Sequence, residues 1–250
     1  MTPQTIVIRG KEFVPEAGSH QPDGHACVME MAAYMANEPW SDAPKCASPV
    51  IGAFCRSFWD SSEDNWPGLI ERLDRIAGSA NPAADDARAW LATDWLVRVF
   101  TPMWLRKAAL DAEADAITAM PALTSTALAR EAQPIIEAAR AKADAAWAGA
   151  RAGAWAADAA WDAARAAAWA ADAAWDAARD AAWAAAWAAA RDAAWAAARD
   201  AASKEKGYTN QYNAARKVLD AALAETVTEL RASAFDLLDR MLLQGTEVEA

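Results

Sequence analysis

The chain has few of the residues on which most enzymes and disulfide-stabilised proteins depend. Its 250 residues include two histidines and three cysteines. An odd number of cysteines does not suggest a disulfide framework, and two imidazoles give acid–base catalysis little material. The sequence also lacks the P-loop, G-x-G-x-x-G, G-x-S-x-G and H-E-x-x-H motifs. We therefore expect a protein that is not an enzyme and that carries no cofactor.

Positive charge and long apolar runs are scarce as well. The formal net charge is −11, whereas non-specific nucleic-acid binding and attraction to anionic membranes both require a basic surface. The longest uncharged stretch of the repeat described below, Ala181 to Ala190, is half the length that crosses a bilayer. The first residues, MTPQTIVIRGKEFVPE, lack the apolar region of a secretion signal. These absences predict a cytoplasmic protein, in its own cell or in a host cell, with no membrane partner, and they argue against a nucleic-acid partner.

Alanine fills much of the chain between residues 147 and 199, where other residue types recur on a fixed schedule. Residues 154–167 and 168–181 are identical except that Asp180 replaces Ala166. Residues 154–199 contain no glycine or proline, and alanine has the highest helix propensity. The pattern predicts one long helix, which we expect to begin at Pro134 and end near Lys206.

Tryptophan, arginine and aspartate follow one another in this repeat at steps of three and four residues. Because such neighbours lie on one face of a helix, they form a continuous ladder, which we call the Trp ladder. Its members, the candidate binding residues, are Trp147, Arg151, Trp155, Asp158, Trp161, Arg165, Trp169, Asp172, Trp175, Arg179, Trp183, Trp187, Arg191 and Trp195. Up to Trp183 the period is fourteen residues, or two heptads, as in a coiled coil. Beyond it every step is four, so the stripe drifts around the helix.

Two packings of this helix are possible. The nearly all-alanine face opposite the ladder can pack closely on another helix, or the ladder itself can be buried. Burying Trp removes far more apolar area than burying Ala, although the Arg and Asp between the rings must then pair. We favour a ladder that is half covered by the C-terminal helix or by a second copy of the chain.

The rest of the sequence predicts further helices. Apolar residues recur at helical spacing in Gly24 to Ala36, Val50 to Trp59 and Trp66 to Gly78, and in the segment that starts at Asn81. Thr5 to Arg9 is the one strand candidate. We expect an all-α chain: a compact N-terminal helical module (1–130), the long Ala/Trp/Arg/Asp repeat helix (131–206) and an amphipathic C-terminal helix (207–250) that returns antiparallel to it in a hairpin.

One set of residues resembles a metal site: His25, Cys27, Cys46 and Cys55. Thiolates and imidazoles are zinc ligands, but the spacing of these four residues matches no standard site. Free cysteines are among the most buried residues, so buried thiols are the simpler interpretation. Glu30 and Asp42 form a possible acid–base pair, although carboxylates in an acidic protein are usually solvated or salt-bridged.

Two segments resemble a known group of sequences. CVMEMAAYMANEPWSDAPKCASPVI, from Cys27 to Ile51, and RAWLATDWLVRVFTPMWLR, from Arg88 to Arg106, are similar to uncharacterised proteins of actinobacteria and their phages. Those proteins often end in Ala-rich repeats with Trp, Arg and Asp. Ala43 occupies a position where the pattern of that group has His. The resemblance implies an origin and brings no activity with it.

These observations favour a non-enzymatic helical interaction or scaffold protein whose repeat arm drives self-association or docks on a protein partner. One alternative is a phage-related or bacterial defence protein whose Trp and Arg side chains stack a nucleotide or another planar ligand. A second alternative is a small zinc-binding protein built on His25 and the cysteines.

Overall fold

A computed structural model of the chain describes residues 5–148 and 208–244. The chain divides into two compact units, one made of Met1–Ala89 with Phe235–Ala250 and the other of Trp90–Ala234. Most described residues are helical. The α-helices are α1 (Val28–Met35), α2 (Pro49–Ser61), α3 (Trp66–Ile70), α4 (Leu73–Ala77), α5 (Pro82–Trp95), α6 (Thr101–Lys107), α7 (Asp111–Thr118), α8 (Thr126–Ala148) and α9 (Tyr208–Leu243).

The expectation of an all-α chain is confirmed only in part, because most described residues are helical but a small sheet opens the first unit. Its strands are ordered β1 (Ile6–Ile8), β2 (Lys11–Pro15) and β3 (His25–Ala26). β1 pairs antiparallel with β2, and β2 pairs parallel with β3. Arg9 and Gly10 connect the first two strands with φ angles of 49° and 81°. Positive φ at both positions suits a tight hairpin turn whose twist matches the strands.

The core of the first unit is built mainly from helices α1 and α2. Cys27 precedes α1 and Ser48 precedes α2, where the hydroxyl of Ser48 accepts a hydrogen bond from the backbone N–H of Ile51. Satisfying a free N–H at the first turn favours helix initiation there. The side chains at most 1% exposed include Phe13, Val28, Met29, Met31, Ile51, Cys55, Trp59, Leu69, Ile76, Leu237 and Leu238.

A buried arginine joins the C-terminal end of helix α9 to the rest of this unit. Arg88 is 2% exposed. Its guanidinium donates to the carbonyl oxygens of Ser79 (2.8 Å), Met241 (3.1 Å) and Gln244 (2.7 Å), and to the carboxylate of Asp85. The carbonyls at the end of a helix lack partners within the helix. Arg88 donates hydrogen bonds to such carbonyls at the end of α9, those of Met241 and Gln244.

The second unit contains a change of helical pitch. Between α5 and α6, residues Leu96–Phe100 form a π-helical turn. The carboxylate of Asp94 accepts two hydrogen bonds from Arg98, at 2.6 and 2.8 Å, and one from the backbone N–H of Leu123 at 2.7 Å. Helices α7 and α8 contribute Ile117, Ala132 and Ala139 to a core cluster that also contains Met120 and Leu123.

Several predicted helices have different limits. The segment from Trp66 to Gly78 forms two short helices, α3 and α4, which are separated at Glu71 and Arg72. Helix α8 begins at Thr126, before Pro134, which lies inside it. Proline removes one backbone donor, but the packing of α8 on the core cluster continues the helix through it. The predicted repeat helix beyond Ala148 and its hairpin connection fall on residues 149–207, outside the described ranges.

Candidate functional site

The Trp ladder cannot be placed from the described residues. Trp147 lies on the last turn of α8, whose backbone reaches Ala148. The other thirteen members, from Arg151 to Trp195, lie outside the described residues. The ladder therefore remains a prediction, and so does the expectation that its Trp face is half covered.

The three cysteines are free thiols, and two of them are buried. Burial raises the pKa of Cys27 to about 12 and also raises the pKa of Cys55. Cys46 is half-buried, its pKa is raised by burial, and its Sγ donates to the carbonyl of Ala32 at 3.8 Å. Since only a thiolate ligates zinc strongly, these environments do not favour a cysteine-based metal site.

A second polar cluster of the first unit surrounds Glu30, whose side chain is 1% exposed. Its Oε1 accepts the backbone N–H of His20 at 2.6 Å, and its Oε2 accepts the backbone N–H of Cys27 at 2.8 Å. The Nδ1 of His20 lies 2.9 Å from the same Oε2. Three hydrogen bonds thus satisfy a carboxylate that would be costly to bury unpaired.

The imidazole of His20 lies between two carboxylates. Its Nδ1 faces Glu30, and its Nε2 lies 3.7 Å from Oε2 of Glu16. The Nδ1 of His25 lies 2.6 Å from that same oxygen of Glu16. Both histidines of the chain therefore lie beside one carboxylate, that of Glu16. We call Glu16, His20, His25 and Glu30 the imidazole–carboxylate cluster.

Local backbone structure explains why these side chains meet. The backbone N–H of Glu16, directly after β2, donates to the carbonyl of Ala26, and that of Val14 donates to Gly24. This parallel pairing places Glu16 beside His25. The loop between Glu16 and His25 contains Gly18 and Gly24, whose φ angles of 96° and 112° favour glycine.

His20 is a mostly buried residue within an exposed segment. Residues 16–19 and 21–23 are exposed, whereas the side chain of His20 is 12% exposed. The indole Nε1 of Trp40 donates to its carbonyl at 2.8 Å. The backbone and the ring of this one residue therefore fix the position of the segment over Glu30.

The cluster has the elements of a proton-transfer site, because it pairs one buried and one exposed carboxylate with two imidazoles. Glu30, singled out in the sequence, is part of it through His20 and Cys27 rather than through Asp42. Neither Glu16 nor His20 is identified by the sequence. The rarity of histidine was a signal for His20 alone. Glu16 gave no signal, because it reaches His25 through strand pairing.

Comparison with known protein families, with curated proteins and with solved structures finds no match to this chain. Among residues 5–148 and 208–244, no helix has the length and apolar character required to span a bilayer.

Proposed function

We propose that the protein is a non-enzymatic helical interaction protein whose repeat arm associates with a second copy of the chain or docks on a protein partner. The observation that carries this proposal is the position of Trp147. Helix α8 runs from Thr126 to Ala148, so the first residue of the Trp ladder lies on a helix that begins inside a folded unit.

The first part of α8 is fixed to that unit along one stripe. Ala132 and Ala139, seven residues apart, are buried, and Leu128 and Ile136 pack against the same core cluster. A spacing of seven keeps residues on one face of a helix. An arm that extends from this helix starts from a rigid base, as an element that presents a binding surface requires.

A second copy is the partner that best fits the repeat. The two fourteen-residue units at 154–167 and 168–181 present the same side chains in the same order, so a surface of this kind can match itself in register. Arg of one copy can then pair with Asp of the other, which offsets the cost of burying either charge. Each covered Trp contributes roughly 150–250 Å² of buried surface.

The proposal is tested by changing each face of the arm separately and measuring the molar mass of the full chain by sedimentation. One variant replaces Trp155, Trp161, Trp169 and Trp175 with Ala. The matched control places Gln at four alanines on the opposite helical face, which at 100° per residue are Ala156, Ala163, Ala167 and Ala174. Both changes keep good helix formers in the arm.

We expect the Trp-to-Ala variant to dissociate and the Gln control to remain associated. The reverse result would show that the alanine face is the interface. A wild-type chain that is monomeric at every concentration contradicts self-association. A change in Trp fluorescence on adding nucleotides to such a monomer would favour the stacking alternative.

A further inference from the structure

We propose that Phe13, Tyr34 and Trp40 form a binding site for a quaternary ammonium group. We call these three residues the aromatic cage, and the chain's own Lys11 occupies it. The Nζ of Lys11 lies 4.9 Å from the ring centroid of Phe13. The ring centroids of Tyr34 and Trp40 lie 5.4 and 5.5 Å from the same nitrogen. All three distances fall within the about 6 Å over which an aromatic face attracts a cation.

The three rings surround one point from different directions. The rings of Phe13 and Trp40 are stacked, with centroids 5.9 Å apart and planes inclined by 22°. The ring of Tyr34 meets Phe13 edge-on, at 5.1 Å and 68°. Several aromatic faces around one cation are the arrangement that recognises choline and methylated lysine. The inference does not depend on the proposed role of the repeat.

The cage is built by a strand, a helix and the turn that follows the helix. Lys11 and Phe13 are two residues apart on β2, so both side chains lie on one face of the sheet. The last turn of α1 contributes Tyr34. Asn37, with a φ angle of 59°, then ends the helix in the left-handed conformation. This turn returns the chain, so that Trp40 reaches the ring of Phe13.

Two of the rings are held in place whether or not a cation is bound. Phe13 is fully buried. The indole Nε1 of Trp40 donates to the carbonyl of His20 at 2.8 Å, which fixes the plane of that ring. A site whose groups are already ordered loses little conformational entropy when a ligand enters.

The rings, rather than a carboxylate, hold the ammonium group of Lys11. Among residues 5–148 and 208–244, no Asp or Glu forms an ion pair with its Nζ. A primary ammonium is strongly hydrated, and it gives up hydrogen bonds to water when it lies on aromatic faces. A quaternary ammonium has no N–H to leave unsatisfied. It therefore suits the aromatic cage better than the lysine that occupies it.

Lys11 acts as an internal competitor for the cage. Its side chain is partly exposed, and it lies at the end of β2 next to the hairpin turn. The side chain can therefore move into water while the strands stay paired. A site that is open for only a fraction of the time binds with an affinity reduced by that fraction. Removing Lys11 should therefore strengthen the binding of an external ammonium ion.

The test is a titration of the full chain with tetramethylammonium chloride, followed by the proton NMR signal of its methyl groups. Aromatic faces shift this signal upfield, so the readout is specific to binding over rings. We expect Lys11→Ala to bind more tightly than the wild type by about tenfold or more. Lys45→Ala is the matched control, because it removes an exposed lysine from the same unit; we expect it to bind as the wild type does.

A second substitution tests the rings themselves. Adding Trp40→Leu to Lys11→Ala should weaken binding by about tenfold or more, because Trp is the strongest of the three cation-binding rings. Circular dichroism identifies any variant that fails to fold. Lys11→Gln keeps the length of the side chain and removes its charge, so it retains the test if Lys11→Ala does not fold. We expect it too to bind more tightly than the wild type.

The choice of ligand tests the role of charge and the source of the ammonium group. Choline should bind to Lys11→Ala, whereas its neutral isostere 3,3-dimethyl-1-butanol should not. Comparison of choline with a short peptide that contains trimethyl-lysine distinguishes a free compound from a side chain of another protein, and tighter binding of either supports the site. Equal affinity in the wild type and the two Lys11 variants, equal binding of the neutral isostere, or no upfield shift in any variant would each overturn the proposal.

Discussion

The ring of Phe235 lies directly on Gly68. A Cβ added at Gly68 would meet three ring atoms of Phe235 at 3.0 Å or less. The ring has little freedom to move, because it contacts Phe58 at 5.0 Å between centroids and lies 4.8 Å from the guanidinium of Arg72. Only glycine therefore allows helix α9 to approach helix α3 this closely.

We predict that Gly68→Ala destabilises the protein. Alanine gains about 1 kcal/mol in helix propensity over glycine, but overpacking a fixed neighbour costs about 1–3 kcal/mol. Urea unfolding should show a net loss of stability. Gly78→Ala is the control, because an added Cβ there meets its nearest atom at 3.5 Å. Equal stability of the two variants would show that the Phe235 contact adapts at no cost.

Arg88→Ala should be among the most destabilising substitutions in the first unit. It removes the guanidinium hydrogen bonds to the carbonyls of Ser79, Met241 and Gln244 and to the carboxylate of Asp85, and breaking a buried ion pair costs about 3–5 kcal/mol. The control is Arg106→Ala, whose partner Asp115 is exposed and whose loss should cost less than about 1 kcal/mol. If denaturant unfolding gives similar losses for both, Arg88 does not anchor α9.

Acid should weaken the contact between Arg72 and Asp239. Hydrogen bonds from Arg72, supported by Arg75, lower the pKa of the Asp239 carboxyl. Because the folded pKa lies below the unfolded value of about 3.9, this stabilisation is complete above the unfolded pKa and is lost as pH falls through the folded one. Asp239 is about one-third exposed, so solvent screening limits the effect to roughly 0.5–1 kcal/mol.

The measurement is urea unfolding of wild type and Asp239→Asn at pH 7 and at pH 3. We expect the variant to lose less stability on acidification than the wild type. Asp236→Asn, an exposed position on the same helix, should behave like the wild type. An equal acid-induced loss in Asp239→Asn would show that the ion pair makes no net contribution.

Thiol reactivity should distinguish Cys46 from the other two cysteines. Burial raises the pKa of Cys27 and Cys55 and shields both from reagents, whereas Cys46 is half-buried. A thiol-specific chromogenic reagent should modify one group in the folded protein and all three after unfolding. Cys46→Ala should remove the reaction of the folded state. Rapid modification of two or more thiols in the native protein would contradict the buried positions.

Most helices could be predicted from the sequence because apolar spacing and capping residues, which favour a helix, act over a few neighbouring residues. The apolar spacing in Gly24 to Ala36 and the Asn81-Pro82 start correspond to α1 and α5, with shifts of a few residues. The strand candidate at Thr5 to Arg9 corresponds to β1. Its partners were missed because Arg9-Gly10 is a weaker hairpin signal than Asn-Gly, and β3 is a two-residue strand that pairs with β2 across a loop.

The imidazole–carboxylate cluster was beyond the reach of sequence patterns for a different reason. Glu16, His20 and Glu30 have no fixed spacing that a motif would reveal, and they meet because strand pairing returns the chain to the start of α1. Cysteine burial, in contrast, followed from the ordinary behaviour of free thiols. The Trp ladder was the clearest pattern in the sequence, yet its interpretation depends on a partner rather than on local structure.

The most direct test of the account is the molar mass of the wild-type chain measured by light scattering over a range of micromolar concentrations. The account predicts a mass at least twice the 26.6 kDa of one chain, which falls toward that value when the four Trp of the ladder variant are replaced by Ala. A constant mass of one chain at every concentration would contradict the central claim that the arm associates with a second copy.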